Sequence, residues 1–167
     1  VIEGVLIPTK KRMTACVSVQ VGCSLDCAFC ATGKLKRIRN LNADEIYDQV
    51  VMINDQSKKE YNLPISNIVY MGMGEPLLNY SNVLKSVDKI TSENGLGMSP
   101  KRITISTAGI HKKIIRLADD GVKFNLALSL HAANDEKRNK IMPINESNSL
   151  RLLKDAMIYF SDTTGTR

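Results

Sequence analysis

Cys23, Cys27 and Cys30 place three thiols within eight residues, spaced C-x3-C-x2-C inside Gly22-Cys-Ser-Leu-Asp-Cys-Ala-Phe-Cys-Ala-Thr-Gly33. Three thiolates can hold three irons of a 4Fe-4S cluster, whereas a cluster that only carries electrons is normally closed by four cysteines. The fourth iron is then left open to a ligand that is not a side chain. Small residues beside the thiols, Ala31 and Gly33, let backbone amides approach the sulfurs and tune the potential. A Cys3His zinc site, a disulfide pair and buried unreactive cysteines are the alternatives. Zinc is the weaker reading, because the two histidines, His111 and His131, lie far along the chain and structural zinc favours paired ligands at close spacing.

An open iron is chelated well by a small molecule that offers an amine and a carboxylate, and the methionine end of S-adenosylmethionine is one. Any such chemistry needs a scaffold. With 167 residues and 43% hydrophobic content the chain can bury one ordinary core, so a single domain or part of one is expected. It starts at Val1 and ends just after a turn signal, Asp162-Thr-Thr-Gly165, which reads as a piece of a longer chain. No apolar run approaches the ~18 residues of a membrane span, and no signal-peptide pattern opens the sequence. Crowded cysteines of this kind bind metal as reduced thiols, which points to the cytoplasm.

The net charge of +6 favours a polyanionic partner. Lys34, Lys36, Arg37 and Arg39 directly follow the cysteine loop, although a solvated basic loop would look the same. Aromatics make up 5% of residues and Trp is absent, which excludes a broad base-stacking platform.

Strand and helix patterns then alternate. Thr14–Val21 reads as an opening strand. Asn42 with Glu45 forms a capping-box pattern ahead of Ile46, Val50 and Ile53, predicting a helix over residues 43–56. Asn67–Met73 reads as a strand, and Ser81 caps a helix with Val83, Val87 and Ile90 on one face. Arg102–Ser106 is the next strand, followed by a helix marked by Ile110, Ile114, Leu117 and Ala118. Val122–Leu130 is the last strand, and Leu150, Leu153, Met157 and Phe160 mark the last helix. Four βα units predict an α/β fold: a parallel sheet with helices outside, wrapped into part of a barrel.

Strand alternation identifies the inside face. Phe124, Leu126, Leu128 and Leu130 share one parity, while Asn125, Ala127, Ser129 and His131 share the other; Ile103 and Ile105 alternate likewise with Thr104 and Ser106. The apolar set is expected beneath the helices and the small polar set in the lumen. Reactive groups in parallel barrels sit at the C-terminal strand ends, where Cys23, Gly74, Ser106 and His131 all fall. The loop Met71-Gly-Met-Gly-Glu-Pro76 adds a carboxylate beside glycines, suited to an ammonium group.

These segments together resemble the radical S-adenosylmethionine superfamily, and within it the bacterial dual-specificity RNA methyltransferases that methylate C2 of adenosine. The resemblance rests on Cys16-Val-Ser-Val-Gln-Val-Gly-Cys23, Cys27-Ala-Phe-Cys-Ala-Thr-Gly33, Met71-Gly-Met-Gly-Glu-Pro-Leu-Leu-Asn79, Ile105-Ser-Thr-Ala-Gly109, Leu128-Ser-Leu-His-Ala132 and Met142-Pro-Ile-Asn145. It spans essentially the whole chain and implies a partial (β/α)6-type barrel. It implies a 4Fe-4S cluster on Cys23, Cys27 and Cys30, and S-adenosylmethionine held by Gly74, Glu75, Ser106, Ser129, Leu130 and His131. By the same resemblance, Cys16 closes a transient disulfide with a methyl-carrying cysteine, and Glu3 accepts the C2 proton. Read without it, Cys16 is a small buried hydrophobe and Glu3 a solvated carboxylate.

The implied partners are ribosomal RNA and tRNA, with an electron donor such as flavodoxin, no membrane and a monomeric state. Rival functions are methylation of adenine C8, a radical enzyme of a small metabolite, and a non-enzymatic zinc module. One departure stands out: no cysteine follows Cys30. The methyl-carrying cysteine, an N-terminal RNA-binding domain and the end of the barrel are therefore expected outside residues 1–167.

Overall fold

The computed structural model describes residues 1–166. The strands are β1 (Val5–Pro8), β2 (Met13–Cys16), β3 (Gln20–Val21), β4 (Arg39–Asn40), β5 (Asn67–Tyr70), β6 (Ile103–Thr107) and β7 (Asn125–Leu128). The helices are α1 (Ala43–Tyr61), α2 (Tyr80–Thr91), α3 (His111–Asp119), α4 (Asp135–Ile141) and α5 (Leu150–Thr164). The main sheet runs β1-β2-β5-β6-β7, and its last four strands are parallel. Each of those four leads into a helix, so the α/β reading with four βα units holds. No helix among the described residues is long and apolar enough to cross a membrane.

The predicted inside and outside faces are also observed. Ile68, Ile103, Ile105 and Leu126 are buried against Val83, Val87 and Ile90 of α2, Ile114 and Leu117 of α3, and Leu153 and Phe160 of α5. Each such side chain contributes about 1.5–3 kcal/mol of hydrophobic stabilisation. The alternate positions Thr104, Ser106, Asn125 and Ala127 are only partly covered, leaving a polar inner face.

Helix α1 starts where the capping box predicts. The Asn42 side chain accepts from the Glu45 amide at 2.8 Å, and Glu45 accepts from the Asn42 amide at 2.9 Å. Arg39 grips the same carboxylate from β4 and draws it down to about 2. The carboxylate's contribution is therefore present above its ordinary value of 4.5 and is lost as pH falls from there toward 2. Asn42→Ala is expected to cost about 1 kcal/mol near neutral pH; a urea midpoint unchanged from that of the parent chain would contradict this.

Several boundaries differ from the sequence reading, each for a physical reason. The opening strand over Thr14–Val21 is interrupted: β2 ends at Cys16, and Gln20–Val21 pairs instead with Arg39–Asn40. Val17, Ser18, Val19 and Gln20 are all buried there, so period-2 alternation no longer describes the segment. Helix α1 continues five residues past 56, ending at Asn62 in the left-handed conformation with φ 54. Ser57 inside that extension donates to the Leu63 carbonyl. Helix α2 starts at Tyr80, not after Ser81, because the Pro76–Asn79 turn feeds straight into it. The strand expected over Val122–Leu130 is confined to Asn125–Leu128, and Leu130, expected beneath the helices, is 48% exposed. Edge strand β1, antiparallel to β2, and helix α4 were not predicted.

Candidate active site at the strand ends

At the C-terminal end of the parallel strands lies a cavity of about 310 Å³. Cys23, Cys27 and Cys30 line it, together with Gly74, Glu75, Ser106 and Ser129. Seven of the sequence-predicted residues thus share one wall system. The four others stand outside it. Leu130 and His131 lie just past β7, both exposed, and His131 takes a positive φ of 56 with its ring stacked 3.9 Å from Phe29. Cys16 ends β2, half-buried, and is not among the lining residues. Glu3 is exposed, but its backbone carbonyl accepts from Ser18 Oγ at 2.6 Å, which fixes residue 3 at the same end of the sheet, two positions beyond Cys16.

The cysteine loop is held at its stems. Asn79 Nδ2 donates to the carbonyls of Val19 at 2.9 Å and Leu41 at 2.7 Å, clamping both sides of the loop's base. Gln49 of α1 makes both backbone bonds of Ser18, at 2.9 and 3.0 Å. Within the loop, Cys30 N–H donates to Cys27 carbonyl and Gly33 N–H to Cys30 carbonyl. A Cβ at Gly33 would lie 2.9 Å from the Cys27 carbonyl oxygen, so the loop closes this tightly only because position 33 is glycine.

All four cysteines are free thiols. Among the described residues, no three His, Cys, Asp or Glu side chains converge as ligands of one ion. Both histidines have other partners: His111 bonds Asn148 through its amide and Nδ1, and His131 stacks on Phe29. A polynuclear cluster suits this arrangement better than one zinc ion, since each thiolate takes its own iron. Burial raises Cys23, and Cys27 is pushed up to about 11, first by burial and then by the negative charge of Cys23, Cys30 and Glu75. Thiolates packed this way repel one another until a cationic metal centre lies between them.

Glu75 is 3% exposed. Its Oε1 accepts from Leu77 N–H at 3.0 Å and Thr107 Oγ1 at 2.6 Å, and Oε2 accepts from Ala108 N–H at 2.7 Å. Burial pushes its pKa up, and these three bonds oppose the shift. The carboxylate is thus both an anchor between β5 and β6 and part of the cavity lining. Gly74, at φ +97, packs its backbone against Gln20. Across the cavity, Ser106 and Ser129 hydroxyls stand 3.2 Å apart, bringing β6 and β7 into one polar wall.

Sequence reasoning missed Ser18, Gln20, Gln49, Asn79, Thr107 and Arg138. Each is a buried polar side chain that fixes backbone around the site. The available signal was Ser18 and Gln20 alternating with Val17, Val19 and Val21 next to a metal-binding loop.

The family model of the radical SAM superfamily matches residues 17–166. The chain belongs to the radical SAM superfamily. Membership implies a 4Fe-4S cluster and S-adenosylmethionine as its cofactors. A probable dual-specificity RNA methyltransferase RlmN from Cytophaga hutchinsonii is 63% identical over 99% of this chain and 45% of its own length. One from Christiangramia forsetii is 63% identical over 99% of the chain and 47% of its own length. A crystal structure of a radical SAM methyltransferase from Sphaerobacter thermophilus superposes with a TM-score of 0.95 at 41% identity, covering 99% of this chain and 48% of that one. The chain spans about half the length of the curated relatives it matches.

Proposed function

We propose that this chain is the cluster- and S-adenosylmethionine-binding core of an RNA methyltransferase acting on C2 of adenosine in ribosomal RNA and tRNA. The observation that carries the reading is the single cavity lined by three free thiols, Gly74-Glu75 and the Ser106–Ser129 pair, in a chain 63% identical to relatives named for that activity. When bound, cluster and S-adenosylmethionine supply the radical chemistry that an unreactive C–H bond requires. The chain's own residues bind and orient. Glu75 and the Gly74 backbone would receive the methionine ammonium, Ser106 and Ser129 would offer hydroxyls to the rest of the cofactor, and Leu130 and His131, just past β7, would be further contacts to it. Cys16 supplies the thiolate that resolves the protein–RNA adduct by a transient disulfide, and Glu3, fixed at the same sheet end, accepts the proton from C2.

On this reading the methyl-carrying cysteine, an RNA-binding domain and the rest of the barrel belong to parts of the protein outside these 167 residues. The protein works in the cytoplasm as a monomer, with electrons from a donor such as flavodoxin.

RNA is expected to bind over the exposed basic ribbon around Lys34, Lys36 and Arg37, next to the cysteine loop. The test is salt-dependent binding of a tRNA to the reconstituted chain. Replacing all three with Ala is expected to flatten the slope of log K against log salt by about 0.7–0.9 for each phosphate no longer neutralised. A slope of zero in the parent chain would contradict the RNA reading and favour a small-metabolite substrate.

A further inference from the structure

The one fully buried cation of the site is Arg138, on the short helix α4, at 0% exposure. Its Nε donates to the Leu130 carbonyl at 3.0 Å, and its Nη2 donates to Ala108 carbonyl at 2.6 Å and Ser129 carbonyl at 3.1 Å. Nη1 donates to Asn145 Oδ1 at 2.5 Å. Three of these four bonds end on the backbone of the β6 and β7 ends, beside the cavity residues Ser106, Ala108 and Ser129. The fork geometry of guanidinium makes such multiple bonding possible; an ammonium could not reproduce it.

Asp135 acts on this charge, but from beyond ion-pair distance. Among the described residues, Arg138 has no ion-pair partner within 4.0 Å. Asp135, one turn away, is committed to Asn145 Nδ2 and Leu150 N–H, each at 2.8 Å. A buried cation answered only by neutral carbonyls is costly unless negative charge lies nearby. Besides Asp135, the other source of negative charge is the cysteine loop once its thiolates hold metal. Helix α4 also touches the cysteine loop directly, since Ala28 N–H donates to the Ile141 carbonyl at 2.9 Å and Met142 lines the cavity.

Ala108 links the two buried charges of the site. Its N–H donates to Glu75, and its carbonyl accepts from Arg138. A negative group and a positive group thus flank the end of β6.

We propose that Arg138 is a positioning residue with two effects: it fixes the β6 and β7 ends for S-adenosylmethionine, and its charge offsets the negative charge of the thiolate-bound cluster. It does not line the cavity, so it acts through the carbonyls it holds and through its field. A positive charge stabilises the reduced, more negative cluster, so removing it lowers the reduction potential.

The proposal rests on the cluster reading, and its test separates the two. The chain, R138M and R138K are reconstituted anaerobically, and cluster potential, S-adenosylmethionine affinity and melting temperature are measured on each. R138M is expected to shift the reduction equilibrium at least tenfold toward the oxidised form, about 59 mV for one electron. R138K keeps the charge but not the fork, so it is expected to hold the parent potential while binding S-adenosylmethionine at least tenfold more weakly. A merely structural arginine would lower melting temperature in both variants and leave the potential unmoved, which would overturn the proposal. Should R138M fail to hold a cluster, R138K decides: parent potential with weakened cofactor binding supports the proposal, and any other pattern overturns it. A parent chain that takes up no iron or sulfide would overturn the cluster reading itself, before Arg138 comes into question.

Discussion

Replacing Glu75 with Gln is expected to lower stability by about 1.5–3 kcal/mol, the range for hydrogen bonds to a charged group, and to abolish S-adenosylmethionine binding. Three donors aim at the carboxylate: Leu77 N–H and Thr107 Oγ1 at one oxygen, Ala108 N–H at the other. A carboxamide presents one oxygen and one NH2, so either rotamer leaves a donor facing a donor in a site that is 3% exposed. The predicted fall in melting temperature is about 3–12 °C, on the scale of 2–4 °C per kcal/mol for a domain of this size. On the proposed cofactor site, loss of binding follows separately, because the negative charge that would receive the ammonium is gone. An E75Q protein that melts with the parent would remove Glu75 from its anchoring role, and one that binds S-adenosylmethionine normally would remove it from the cofactor site.

The second large effect is expected at Gly74. Its φ of +97 lies where L side chains are strained, and a Cβ there would meet Gln20 Cβ at 2.5 Å and Cγ at 2.6 Å. Gln20 has no room to yield. It is fully buried, its Oε1 accepts the Glu75 amide at 2.9 Å and its Nε2 donates to Asn40 at 2.8 Å. Backbone strain of about 1–2 kcal/mol adds to about 1–3 kcal/mol of overpacking. Gly74→Ala is therefore expected to cost roughly 2–5 kcal/mol and to displace Glu75, the next residue, from the cavity. The contrast is Gly97→Ala, where φ is also positive, at +58, but a Cβ meets nothing within 4 Å; only the backbone strain remains. Equal losses at the two positions, measured by denaturant titration, would refute the argument from close approach.

The sheet was legible because its strands alternate cleanly. Ile103 and Ile105 face the helices while Thr104 and Ser106 face the lumen, and the burial pattern repeats that order. The strands' C-terminal ends were legible too, and Cys23, Gly74 and Ser106, expected there, line one cavity with Glu75. Helix α4 was not legible, for its sequence Asp-Glu-Lys-Arg-Asn-Lys-Ile has one apolar residue and so no periodicity to detect. Arg138 inside it reads as a surface charge, and only its tertiary bonds to the carbonyls of Ala108, Ser129 and Leu130 make it an interior residue. His131 illustrates a second limit. Parity places it in the lumen, but its positive φ turns the chain out of the strand and carries the ring to Phe29. Buried polar residues such as Gln20 and Thr107 escaped because alternation treats a polar side chain as exposed, whereas here each satisfies backbone around the cavity.

The cluster with its open iron is put to the test by anaerobic reconstitution of the chain with iron and sulfide, followed by metal and sulfide counts and an EPR spectrum of the reduced protein. About four irons and four sulfides per chain are expected, with a reduced-cluster signal that changes when S-adenosylmethionine is added, and loss of both with Cys27→Ala. Uptake of zinc alone, or a cluster signal indifferent to S-adenosylmethionine, would refute the assignment of Cys23, Cys27 and Cys30 as ligands of a cofactor-binding cluster.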